Sequence, residues 1–182
     1  MRNSSPEQAL GLVHLYIGNG KGKTTAAAGL ALRANGTGLR VLFAQFLKGR
    51  PSGEIGELER LGIEVRRVQS SKKFVFSMNE EEREAETARN KEAMDIILDD
   101  VRGDRYDLMV LDEILDACSL SLVPYDSLYA LIEQTRQMHC ELVLTGRGVP
   151  LRLYELADYI SEISPLKHPY TRGIPARVGI EF

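Results

Sequence analysis

The stretch "LVHLYIGNGKGKTTAAAGLALRA", Leu12 to Ala34, constrains this chain more than any other. Residues 12–17 are apolar and partly β-branched, which predicts a strand, and residues 24–34 are alanine-rich with helical spacing. Between them Gly18, Gly20 and Gly22 allow positive φ, so that successive N–H groups face one concavity. Lys23 and Thr24 then open a helix whose N-terminus attracts anions. A strand, a glycine loop and a helix in that order read as a phosphate-binding loop, with Lys23 on phosphate oxygens and the Thr24 hydroxyl toward Mg2+. Lys21 reads either as a phosphate contact or as an exposed side chain. The common spacing G-x-x-x-x-G-K-[ST] would place glycine at Ile17, whereas the first glycine is Gly18, so the loop is one residue short.

The alternation continues downstream. Strands are expected at 40–46, 63–69, 106–113 and 141–146, with short final strands in "YISEIS" and "ARVGIEF". Helices are expected at 53–61, from about Asn79 to Val101, at 125–137 and at 151–157. Strands separated by helices predict an α/β fold with a mainly parallel sheet covered on both faces. The near-continuous apolar runs "LMVLD" and "LVLTG" fit that arrangement. The charged helix is expected to be capped by Asn79, to carry Glu80 to Glu82 in its first turn, and to bury Ala85, Ala88, Ala93, Ile96, Ile97 and Val101. Residues 1–10 hold no strand and read as a polar tail or short arm, leaving 11–182 as one domain.

Composition narrows the function classes. A net charge of -3 gives no global basic field for nucleic acid. Apolar runs are about one strand long, short of the roughly 20 residues that a membrane span needs. Cys118 and Cys140 have no metal-ligand spacing, and no secretory segment precedes the first strand, so the chain is expected to be cytoplasmic.

In a parallel α/β sheet, ligands bind at the C-terminal edge of the strands. That edge is predicted to carry Asp112 and Glu113 after "LMVL", suited to a metal ion on phosphates, or else to capping the next helix. Gln45 and Lys48 follow another strand, and Thr145 and Arg147 a third, all able to meet phosphate or sugar. Phe74 and Phe76, in "KKFVFSM", are as suited to the core as to an apolar wall for a large flat ligand. His14, His139 and His168 form no catalytic pairing that spacing supports.

In "GNGKGKTTAAAGLALRA", "VLFAQFLKG", "EREAETA", "MVLDE", "LTGRG" and "SPLKHPYTRGIPARVGIEF", which run in order through nearly the whole chain, the sequence resembles the ATP:corrinoid adenosyltransferases of the P-loop branch. The shortened loop "GNGKGKTT" is a feature of that family. The resemblance implies a single-domain P-loop NTPase-like three-layer sandwich with helices on both faces of the sheet. It implies transfer of the 5′-deoxyadenosyl group of ATP to the Co(I) centre of cobalamin or another corrinoid, with triphosphate as the leaving group. Gly18, Asn19, Gly20, Lys21, Gly22, Lys23 and Thr24, with Thr25 beside them, then carry over as triphosphate ligands, helped by Gln45, Lys48 and Arg147. Thr24 and Glu113 carry over as ligands of Mg2+ or Mn2+, with Asp112 beside them. Lys23 serves catalysis, and Phe74 and Phe76 cover the lower corrin face, which eases reduction of Co(II). Phe76 stands where some relatives have tryptophan. A homodimer and an electron-donating reductase such as a flavoprotein are also implied. The rival readings are a P-loop ATP hydrolase or small-molecule kinase, and a nucleotide-binding regulatory module without turnover.

Overall fold

Six strands form one sheet in which every pairing is parallel: β1 (Val13–Ile17), β2 (Val41–Gln45), β3 (Glu64–Arg67), β4 (Leu108–Asp112), β5 (Glu141–Thr145) and β6 (Tyr159–Glu162). Their order across the sheet is β3-β2-β4-β5-β1-β6. The computed structural model describes residues 10–49, 52–69 and 73–181. The expected N-terminal arm therefore falls, apart from Leu10, outside the described residues.

Burial follows position in the sheet. All five residues of β2 and all five of β4 are buried, as central strands covered on both faces should be. The edge strands β3 and β6 contain no buried residue. One face packs Val41, Phe43, Leu108, Val110 and Val143 under helices α1 (Lys23–Gly36) and α2 (Gly53–Arg60). In α1 the buried residues are Ala27, Ala31 and Ala34, an i, i+4, i+7 row of small side chains, and alanine also has the highest helix propensity. The opposite face packs Leu42, Ala44, Met109, Leu111, Leu142 and Leu144 against helices α3 (Glu80–Arg102), α4 (Ile114–Ser119), α5 (Tyr125–Gln137) and α6 (Leu151–Leu156).

Three local expectations need correction. Helix α4 was not foreseen: its short apolar sequence "ILDACS" directly follows "VLDE" and merges with the strand signal. Residues 176–181 of "ARVGIEF" form no strand and 178–181 make a turn, because at Gly179, φ 75, the chain bends back on an Arg177–Glu181 pair instead of running along the sheet. In α3 the expected cap is present as a capping box between Asn79 and Glu82, but the buried residues are Glu86, Asn90, Met94, Ile97, Asp100 and Val101. Ala85, Ala88 and Ile96 are exposed, and Ala93 is half-buried. Counting only apolar residues rotates the expected face, since three buried positions, Glu86, Asn90 and Asp100, are polar. Burial raises the Glu86 carboxyl above the ordinary range, and the Asn90 amide donates to the Glu86 carbonyl at 2.8 Å.

Candidate active site

The loop between β1 and α1 takes its shape from two kinds of glycine. Gly18 and Gly22 have φ of 105° and 122°, a region that side-chain-bearing residues rarely enter. Gly20 does not use positive φ, contrary to expectation. Its N–H donates to the Ile163 carbonyl at 2.7 Å, and a Cβ there would stand 2.6 Å from that same oxygen. The residue just past β6 thus fixes the loop from outside. Gly22 is the N-cap of α1 and offers no side-chain acceptor, so the first-turn amides are left for an anion. Lys23 donates from Nζ to the Gly18 and Gly20 carbonyls at 2.7 and 3.0 Å. Its pKa is lowered, chiefly by burial and then by the Arg147 guanidinium.

Strand register sets the next layer. Gln45 on β2 lies beside Asp112 on β4, and Tyr16 on β1 lies beside Thr145 on β5, at the C-terminal edge of the sheet. Asp112 is fully buried and collects donors from four directions. Thr24 Oγ1 donates at 2.9 Å, Thr145 Oγ1 at 2.8 Å, and Gln45 Nε2 and Lys48 Nζ each at 3.2 Å. A buried carboxylate needs such compensation. The hydroxyl of Thr145 also accepts the Glu113 amide at 2.9 Å. Glu113 itself adopts left-handed backbone geometry at φ 62°, a strained state for a non-glycine residue. Burial raises its pKa to about 7, with the neighbouring carboxylates of Asp112 and Asp116 adding to the shift and Lys48 opposing it.

The loop and the sheet edge border a pocket of about 700 Å3. Of the residues expected at the site, Asn19, Gly20, Lys21, Gly22, Lys23, Thr24, Thr25, Lys48, Glu113 and Arg147 line it directly. Gly18, Gln45 and Asp112 stand behind the lining. Sequence reasoning missed Glu54 and Asp116, and it left His168 and the turn of Gly179 to Glu181 without a role, although all line the pocket. Asp116 had a readable signal, its i, i+3 spacing from Glu113. It accepts the Arg147 backbone amide, and burial raises its pKa, opposed by Arg147 and Lys23. Glu54 had none, being brought in by the turn after β2.

Phe74 and Phe76 do not line this pocket. They flank buried Val75 in a 3-10 turn (Val75–Ser77) that follows the C-terminal end of β3. The two rings are 63% and 84% exposed, so neither belongs to the core. They stack in parallel, with centroids 5.3 Å apart and 7° between planes, and present an exposed apolar surface.

Charge and donors suit a divalent cation on phosphates. Asp112, Glu113 and Thr24 present oxygen atoms that could serve as ligands, and the buried Gln45 Oε1 has no partner among the described residues. Among the described residues no three His, Cys, Asp or Glu side chains form a metal cage of their own. Cys118 and Cys140 are buried and unpaired, and burial pushes each thiol up to about 12.

Residues 9–182 match the family model described as ATP:corrinoid adenosyltransferase BtuR/CobO/CobP. The corrinoid adenosyltransferase of Escherichia coli (strain K12) is 34% identical over 183 residues, covering all of this chain and 90% of that protein. The corrinoid adenosyltransferase CobA of Salmonella typhimurium (strain LT2) is 33% identical over 182 residues, with the same coverage. The corrinoid adenosyltransferase of Pseudomonas aeruginosa is 34% identical over 175 residues, spanning 94% of this chain and 84% of that protein.

Proposed function

We propose a division of labour within the site from the premise that this chain belongs to the ATP:corrinoid adenosyltransferase family. It transfers the 5′-deoxyadenosyl group of ATP to a corrinoid. The electron pair of Co(I) forms the bond to C5′, the C5′–O bond breaks, and triphosphate leaves with its electrons. Hydrolysis or phosphoryl transfer is not favoured.

Because the nucleophile is the substrate cobalt, the protein's task is to hold ATP and to stabilise the charge that grows on the leaving triphosphate. The observation that carries our assignment is the convergence of the loop amides, Lys23 and Arg147 on one pocket with Glu113 and the Thr24–Asp112 pair. Lys23 leaves the Gly18 and Gly20 carbonyls for phosphate oxygens when nucleotide enters. Arg147, whose amide is held by Asp116, adds a second positive charge. Thr24 and Glu113 would hold Mg2+ or Mn2+, with Asp112 fixing Thr24 from behind. Bound there, the ion supplies Lewis-acid neutralisation of the triphosphate. Each preorganised donor of this kind is worth roughly 3 kcal/mol of transition-state stabilisation.

The exposed Phe74–Phe76 surface covers the lower corrin face and shuts out an axial ligand, so that Co(II) accepts an electron more readily. A flavoprotein reductase is the proposed donor, in the cytoplasm; no described helix is long and apolar enough to cross a membrane. A homodimer is supported by the open edge of β6, where Tyr159 and Ile160 are exposed, and by exposed Leu166, Tyr170 and Val178 beyond it.

Incubation with ATP, Mg2+, cobalamin and a strong reductant tests the reaction. A light-sensitive adenosylcobalamin spectrum with triphosphate as co-product is expected, and ADP without spectral change would refute it. Omitting the divalent ion tests the metal assignment in the same assay.

A further inference from the structure

Lys48 holds a position that the rest of the site reserves for a cation. It lies just beyond β2, and its ammonium stands 3.0 Å from Thr24 Oγ1, 3.2 Å from Asp112 Oδ2 and 3.9 Å from Glu54 Oε1. The Thr24 proton is directed to Asp112 Oδ1 at 2.9 Å, so a lone pair of that hydroxyl faces the ammonium. Gln45 donates to the same Asp112 oxygen as Lys48, at 3.2 Å, and its own Oε1 is buried without a partner. Carboxylate and hydroxyl oxygens from Asp112, Thr24 and Glu54 on one point are what a hard divalent cation takes, and here an ammonium occupies that point.

We propose that Lys48 is a tethered placeholder: its ammonium stands where the divalent ion of the nucleotide complex is held, and moves toward Glu54 and the terminal phosphate when that complex enters. This inference rests on reading Thr24, Asp112 and Glu113 as the metal site. Its physical basis is that Asp112 is fully buried and cannot be left without a nearby positive charge at small cost. Lys48, just beyond the neighbouring strand β2, supplies that charge in the empty protein. The same charge repels a bare divalent ion at close range. Only a metal that arrives with triphosphate brings enough negative charge for both cations to stay. Glu54 is the nearest second anchor, 3.9 Å away on the first turn of α2, and both residues line the nucleotide pocket. A lysine that served only as a phosphate ligand would stand clear of the Asp112 and Thr24 oxygens in the empty protein and leave metal binding without nucleotide unchanged, which separates the two roles.

The test is Mn2+ binding to the nucleotide-free protein, read by electron paramagnetic resonance of the free ion, in wild type, Lys48→Met and Lys48→Arg. Lys48→Met should bind Mn2+ at least about tenfold more tightly than wild type, while Lys48→Arg, which keeps the charge, should remain within about threefold of it. In a chelator, Lys48→Met should also bind ATP about tenfold more weakly by calorimetry, because the built-in counter-ion is gone. Circular dichroism checks folding, and Lys48→Gln replaces the methionine variant if that one does not fold. Nucleotide-free Mn2+ binding that is unchanged or weaker in Lys48→Met overturns the placeholder role. Failure of the wild type to retain Mn2+ even with ATP overturns the metal site itself.

Discussion

The Gly20 amide and the Ile163 carbonyl meet at 2.7 Å, in a contact so close that a methyl group on residue 20 would lie 2.6 Å from the same oxygen. Gly20→Ala must therefore push the loop off the segment after β6. The expected result is a loss of roughly 2 kcal/mol in stability, typical of overpacking, together with weaker ATP binding. Urea unfolding and calorimetric titration with ATP measure the two effects. An alanine variant that matches wild type in both would show that the contact is dispensable.

Lys23→Ala should leave the fold intact and abolish ATP-dependent adenosylation, by about a hundredfold or more. In the empty protein Lys23 only donates to two loop carbonyls, so little packing is lost. The pairing of lost turnover with a nearly unchanged melting temperature is the signature to look for. A large drop in melting temperature would mean that Lys23 builds the loop as well as using it.

Phe74→Ala should impair reaction starting from Co(II) while sparing reaction with pre-reduced Co(I). The parallel stack with Phe76 offers a surface to the corrin, and neither ring lines the nucleotide pocket. Parallel assays with enzymatic and with strong chemical reduction distinguish the two steps. Equal losses in both would refute the assigned role.

Glu113 provides a test through pH. Its pKa in the folded chain is about 7, raised from 4.5 mainly by burial. The folded state therefore holds this proton more tightly than the unfolded state does. The associated stability is fully present below about pH 4.5 and is lost as pH rises to about 7, an effect on the order of 3 kcal/mol. Glu113→Gln buries no charge, so without nucleotide it should exceed wild type in stability at pH 8, and the gap should close toward pH 4.5. Urea midpoints measured across that range should diverge; parallel curves would rule out Glu113 as the source. Activity should fall in the same variant, the usual exchange between stability and function at a strained site.

Much of this was legible in the sequence because β1, β2, β4 and β5 carry strong apolar runs and α1 carries an alanine row, patterns that local physics makes unambiguous. The loop residues and the Asp112–Glu113 pair were legible for the same reason: parallel strands deliver their C-terminal ends to one edge. What escaped depends on contacts between distant segments. The buried face of α3 includes Glu86 and Asn90, and no count of apolar residues finds a polar position on an inward face. The role of Gly20 was misassigned because the constraint comes from Ile163, far along the chain, and not from its own backbone angle. Glu54 reaches the pocket only through the turn that leads into α2.

The position of β1 in the sheet has a consequence for synthesis on the ribosome. β1 emerges among the first residues, yet both of its neighbours, β5 and β6, come from the last quarter of the chain. The nucleotide loop that follows β1 also waits for the Ile163 carbonyl. A nascent chain lacking β6 has its phosphate-binding residues already exposed but no frame to hold them. The loop can therefore be held in its binding shape only once the chain has been made through Ile163 and β6 has paired with β1.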